Sequence, residues 1–238
     1  MTIDAPLSIP DISLLDGLAT MRSVRRYRTD EDIPREILAK ILFYATRAPN
    51  PGNAQNWRFL VLGREATAVR ALLGETYREG WAEMRIHYGY DKLSPTDESP
   101  KARVARTMQT FVDRLEESPL LILACVDNVT PKSYMGGAPA IYPAIENLLL
   151  AARAYGYGGV LTTWHRRVEQ QLRALLNVPD SAIIAATIPM GRPVGHFGPQ
   201  RRRPLKNVVF DGIWGNVADW AVEPDGDLTN ATAESAHS

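Results

Sequence analysis

Apolar residues recur along this chain in two rhythms, one slow and one fast. From Pro34, the positions Ile37, Leu38, Ile41, Leu42 and Ala45 repeat at the spacing of one helix face, and Pro34 suits the first turn of a helix that must stop before Pro49. Ser13 followed three residues later by Asp16 forms a capping-box start for a short helix through Leu14, Leu15 and Leu18, ending near Met21. Residues 69–81 read as helix, 101–117 as a charged amphipathic helix, 138–155 as a long apolar helix and 167–176 as a further one. The fast rhythm is confined to short runs. Trp57–Leu62 is rich in β-formers, while Leu120–Val126 and residues 182–188 are unbroken apolar stretches of the kind that predict strands covered on both faces. Pro189 and Gly191 are expected to end the last of these.

Between the periodic segments lie turn signals. Asn50, Pro51, Gly52 and Asn53 are turn chemistry, Gly136 and Gly137 mark a loop, and Gly156, Gly158 and Gly159 break the long helix. Residues 88–100 are polar, carry Pro95 and Pro100, and form a loop or insertion suited to a lid. The segment 223–238 is small and polar, as frayed tails are. No repeat or composition shift divides the chain, so a single domain over 1–238 with a core from about 14 to 215 is expected. Helices outnumber strands and do not alternate with them, which predicts an α+β fold rather than a doubly wound sheet.

Composition narrows the functional classes. The 238 residues are 45% hydrophobic and 23% charged, enough for one core without covalent staples. The lone Cys125 excludes an intramolecular disulfide and leaves structural zinc without its usual ligands. Twenty-seven basic residues balance 27 acidic ones, so net charge gives no reason to expect nucleic acid, and any anion site must be local. His87, His165, His196 and His237 lie far apart with no ligand spacing, so no metal is expected, and Gly-x-Ser-x-Gly is absent. Met135 and Met190 read as packing residues. The N-terminal residues lack a signal-peptide pattern, and apolar runs of about seven residues fall short of the roughly 20 that a span needs. A soluble, cytoplasmic protein without membrane contact is expected.

Four segments carry chemistry. Arg22, Ser23, Val24, Arg25, Arg26 and Tyr27 place guanidiniums and a hydroxyl just after a helix; if extended, Ser23 and Arg25 share a face, and Arg forks match phosphate oxygens. Ala48 to Trp57 is an amide-rich turn whose Asn and Gln groups both donate and accept, as a flavin or nucleobase edge requires. Gly156, Gly158 and Gly159 before Leu161, Thr162 and Thr163 let backbone approach a flat ligand. Arg201, Arg202 and Arg203 form a second basic cluster. Taken alone, each is more often a solvated edge, a decorated turn or a helix stop.

Taken in order, the four resemble the nitroreductase family of FMN-dependent oxidoreductases over about residues 14–215. The resemblance rests on Arg22 to Tyr27, the Ala48-Pro49 turn to Gln55 and Trp57, the helix from Ile145 to Ala152 entering the glycines, and Pro189-Met190-Gly191. It implies a mostly antiparallel central sheet flanked by helices in an intertwined homodimer, with FMN at the subunit interface. Arg22 and Ser23 would hold the phosphate and ribityl end, Arg25 would lie by N1 and the C2 carbonyl, and Arg201 and Arg203 would close a second phosphate clamp. Pro49, Asn50, Asn53 and Gln55 would reach the partner's FMN, although Asn50-Pro51-Gly52 replaces a serine-rich turn and Asn56 stands where proline is usual. Leu161, Thr162 and Thr163 would line the ring, with a backbone amide near Thr163 donating to N5.

The implied reaction is ping-pong hydride transfer from NAD(P)H through the flavin to a nitroaromatic, a quinone or another electron-poor small molecule, with no protein group acting as catalyst. Trp81, Tyr88, Tyr90 and Phe111 would shape the acceptor pocket or simply pack helices. The alternatives are a flavin-sequestering protein, or a branch of the family performing reductive dehalogenation or flavin fragmentation.

Overall fold

The computed structural model describes residues 12–128, 140–198, 200 and 202–224, and within these the chain forms two compact units, 23–196 and a smaller one made of 12–22 and 197–224. The Gly136-Gly137 loop, Met135, His237, most of the expected tail and Arg201 lie outside the described residues.

The larger unit is an α+β structure on an open four-stranded sheet. Strands β1 (Trp57–Leu62), β2 (Leu120–Val126), β3 (Gly158–Gly159) and β4 (Ile183–Gly191) lie in the order β1-β2-β4-β3, every pairing antiparallel. β2 is buried along its whole length, as its unbroken apolar run requires. Its register with β4 slips between Ala124 and Cys125.

Helix α2 (Arg35–Ala45) buries Ile37, Leu38, Ile41 and Ala45 of the face read from its spacing, with Leu42 half-buried. α2 packs on a later helix, Ile141–Ala154, which in turn contacts β2 and β3 and buries Ile145, Leu148, Leu149 and Ala152. α3 (Thr67–His87) is longer than the 69–81 expected, because a polar last turn with Arg85 and His87 continues past the apolar stretch. α4 (Pro100–Asp113) starts with Ser99 accepting from the Ala102 N–H, and a separate short turn at Leu115–Glu117 replaces the single helix expected over 101–117. α4 packs on α3. In chain order Ile141–Ala154 is α5 and Glu169–Leu176 is α6, the latter preceded by a tight turn at Trp164–Val168.

The smaller unit holds α1 (Leu14–Thr20), whose cap Ser13 accepts from the Asp16 N–H and donates to its carboxylate. Its later residues form a turn at Leu205–Asn207 and a bridge between Phe210 and Val217. Arg22 and Arg203 belong to this unit, both exposed.

Candidate active site

The glycines after α5 do more than stop a helix. Gly158 and Gly159 pair with Gly191 and Met190 of β4 as the edge of the sheet. A Cβ on Gly159 would stand 2.9 Å from the Pro189 carbonyl oxygen and from Met190 Cγ, so only glycine fits. Continuing the register, Val160 donates to the Pro189 carbonyl at 3.2 Å, and Thr162 and Thr187 exchange both backbone bonds at 2.9 and 3.0 Å. Pro189 has no N–H to return to Val160, which interrupts the ladder and explains why β3 is only two residues long.

This edge is where the site is built. On an antiparallel edge strand, alternate residues point their backbone groups outward. Gly159 points its carbonyl outward, and the Val24 N–H takes it at 2.9 Å, so the arginine segment lies beside the sheet at that point. The next outward amides, those of Leu161 and Thr163, make no backbone hydrogen bond among the described residues. Both residues line a cleft of about 400 Å³.

Arg25 enters that cleft from the neighbouring segment, together with Thr162 and Trp164. Its position is fixed by buried neighbours on either side: the Tyr27 hydroxyl lies between the carbonyls of Val24 and Pro189, at 2.5 and 2.9 Å, and Tyr27 bridges to Pro193. Burial pushes the Tyr27 phenol far above its ordinary value, so it is a neutral strut. Helices α3 and α4 supply the opposite wall, with Tyr77, Trp81, Met84, Met108 and Phe111, and the loop after α3 adds Tyr88 and Tyr90. Trp81, Tyr88, Tyr90 and Phe111, read from the sequence either as pocket walls or as packing, therefore share one cleft.

Tyr77 and Trp164 escaped the sequence reading. Tyr77 is fully buried, meets Trp164 edge-on at 5.2 Å, and shares a short hydrogen bond with the Thr162 hydroxyl. Burial pushes its phenol up to about 12, against the lowering effect of the Thr162 bond. Since Thr162 Oγ1 donates to the Thr187 carbonyl at 3.0 Å, Tyr77 is the donor in that pair and pins the edge strand from the helix side. The available signal was the spacing of Tyr77 and Trp81, four residues apart on one helix face.

Of the residues expected to hold a cofactor, Arg25, Leu161, Thr162 and Thr163 come together. Pro49, Asn53 and Gln55 are exposed and Asn50 half-buried on a loop that lines none of the described clefts. That loop is held from within: Asn50 Oδ1 accepts from the Gln55 N–H at 2.9 Å, and Gly52, Asn53 and Gln55 all have positive φ. Ser23 is exposed. Among the described residues no cluster of His, Cys, Asp or Glu is arranged to hold a metal ion, and no helix is long and apolar enough to cross a membrane.

The model of the nitroreductase family matches residues 18–192, nearly three-quarters of the chain. The chain belongs to the nitroreductase family. It is thus a nitroreductase-family oxidoreductase, and relatives with different reactions stand at similar distance from it. A protein named NADH dehydrogenase from Thermus thermophilus is 30% identical over 85% of this chain and 98% of its own length. A 5,6-dimethylbenzimidazole synthase from Rhodospirillum rubrum is 28% identical, over 82% and 94%. Among solved structures, an iodotyrosine deiodinase bound to FMN and 3-iodo-L-tyrosine superimposes with a TM-score of 0.60 at 22% identity, covering 84% of this chain and 99% of that one. In this nitroreductase-family chain the matched region closes at Arg192, one residue past β4.

Proposed function

We propose that this chain binds FMN at the open edge of its sheet and works as an NAD(P)H-dependent oxidoreductase on flat, electron-poor small molecules. The observation that carries this reading is the pairing of outward backbone amides at Leu161 and Thr163, unengaged among the described residues, with the Arg25 guanidinium in one aromatic cleft. That donor set fits the flavin: a cation favours negative charge at the N1 end of the ring, and a backbone donor suits N5. Bound there, FMN would supply the hydride chemistry that links NAD(P)H to the acceptor.

The chain's own groups bind, orient and exclude water. Arg22, Ser23, Arg201 and Arg203 would hold the FMN phosphate through charge-assisted hydrogen bonds. Pro49, Asn50, Asn53 and Gln55, which line none of this chain's described clefts, would reach the flavin of a second copy. Exposed Phe43 and Tyr142 on the larger unit, and Trp214, 93% exposed on the smaller, support the homodimer this requires. Tyr77 keeps Thr162 in register, and the aromatic wall from Trp81 to Phe111 suits a planar acceptor such as a nitroaromatic or quinone.

The purified protein is expected to be yellow, to run as a dimer by light scattering, and to bleach under anaerobic titration with NADPH or NADH. A colourless protein that cannot be loaded with FMN overturns the reading, and a flavin that neither nucleotide bleaches favours sequestration instead.

A further inference from the structure

Beside the ring cleft lies a second cleft of about 410 Å³, sharing Arg25 and Phe111 with the first. One wall is a single face of α4 and its end, where Arg103, Arg106, Thr107, Thr110 and Arg114 follow one another at helical spacing. The opposite wall brings Arg25 and Arg26. Five guanidiniums thus line one cavity, and among the described residues no carboxylate lines it.

The contacts of Arg103, Arg106 and Arg114 leave donors over. Arg103 and Arg106 each donate to a backbone carbonyl of the preceding loop, Glu98 and Asp97, at 2.6 Å. Arg106 reaches the highly exposed Glu98 carboxylate only at 3.4 Å, and Arg114 pairs with Glu117. The Arg26 side chain makes no hydrogen bond or ion pair among the described residues. A guanidinium has five N–H donors, and like charges three and four residues apart on a helix repel. A cavity so arranged is complementary to a dianion with several oxygens, and phosphate is that group.

We propose that this cleft takes the phosphates of the reduced nicotinamide donor and makes the chain prefer NADPH to NADH, an inference that rests on the hydride-transfer reading above. The two donors differ by a single phosphate, so a site dense in arginine discriminates between them through that group. The nicotinamide would enter the ring cleft while the anionic end crosses the Arg25 and Phe111 boundary into the basic one. No bond is made or broken here; Arg26, Arg103 and Arg106 determine specificity by binding.

The test uses the FMN-loaded protein, its Arg103→Gln/Arg106→Gln variant and, because its side chain has no partner among the described residues, Arg26→Gln. Anaerobic stopped-flow reduction should give the wild type at least about a tenfold higher second-order rate with NADPH, falling to within about threefold in the double variant and part-way in Arg26→Gln, as charge-assisted bonds of ordinary strength imply. The rate at saturating NADPH should hold. Titration with 2′,5′-ADP, which transfers no hydride, should show binding to the wild type that weakens about tenfold in the variants, while 5′-AMP binds little. A wild type without nucleotide preference overturns the proposal. So does a double variant that keeps its preference but loses FMN affinity, since the phosphate read would then be the flavin's own. Failure of both nucleotides to reduce the flavin refutes the functional reading instead, and 2′,5′-ADP binding reports on the cleft independently.

Discussion

Arg70 on α3 is 3% exposed, and among the described residues it forms no ion pair with a carboxylate. Burial, followed by the nearby Arg64 charge, lowers its pKa. Its guanidinium instead donates to the carbonyls of Leu62 and Gly63, where β1 ends, and of Glu116 and Ser118, where the chain turns into β2, at 2.7 to 3.1 Å, with Pro119 O at 3.4 Å. One side chain therefore satisfies the backbone at both ends of a hairpin-like crossing. Replacing it by methionine keeps the apolar stem and strands four well-placed acceptors in a dry site. At about 1 kcal/mol for each neutral acceptor, with part returned because a cation need no longer be buried, the expected loss is about 2 to 4 kcal/mol. For a chain of this size that lowers the melting temperature by on the order of 10 °C, read by circular dichroism at fixed, saturating FMN. Arg70→Lys should recover less than half, because one ammonium cannot span acceptors on two sides. A methionine variant melting within about 2 °C of wild type would refute the reasoning and show that water already serves those carbonyls.

Gly159→Ala should lose about 1 to 3 kcal/mol and weaken FMN retention, measured by unfolding and by flavin fluorescence after dilution, because its Cβ meets the rigid Pro189 carbonyl. His165 is fully buried, with Nε2 against the Ile184 carbonyl and Nδ1 unpartnered among the described residues, and burial lowers its pKa from 6.5. The unfolded chain then binds the proton first, so this contribution to stability is complete above about pH 6.5 and declines as pH falls below it; His165→Leu should flatten that part of a urea-midpoint profile. Cys125 is buried and its thiol is pushed up to about 12, chiefly by burial, so a thiol reagent at pH 8 should label it only on unfolding, at the unfolding rate.

What could be read from the chain depended on whether a side-chain pattern existed to read. β1 and β2 have the limits their runs suggested: β2 because burial on both faces leaves a continuous signature, and β1, mostly half-buried with Arg58 exposed, because its β-forming residues stop at Gly63. β3 left none: two glycines have no periodicity, and their pairing is dictated by β4 more than 20 residues later. The strand expected to end before Pro189 runs through to Gly191, since proline removes only one bond from a central ladder whose other contacts remain. Arg25, Leu161, Thr162 and Thr163 were legible as a set because a family resemblance joined distant segments. The arginine face of α4 was not, because Arg103, Arg106 and Arg114 look like any solvated helix face until the Arg25 and Arg26 segment is laid opposite them.

The interrupted ladder beyond Gly159 has an evolutionary corollary. A donor that belongs to the main chain has no codon of its own, so any substitution other than proline at positions 161 and 163 can repaint the walls of the chamber without deleting the backbone amides there. Descendants of such a scaffold are free to exchange acceptors by drift, while the electronic setting at the sheet margin is inherited intact.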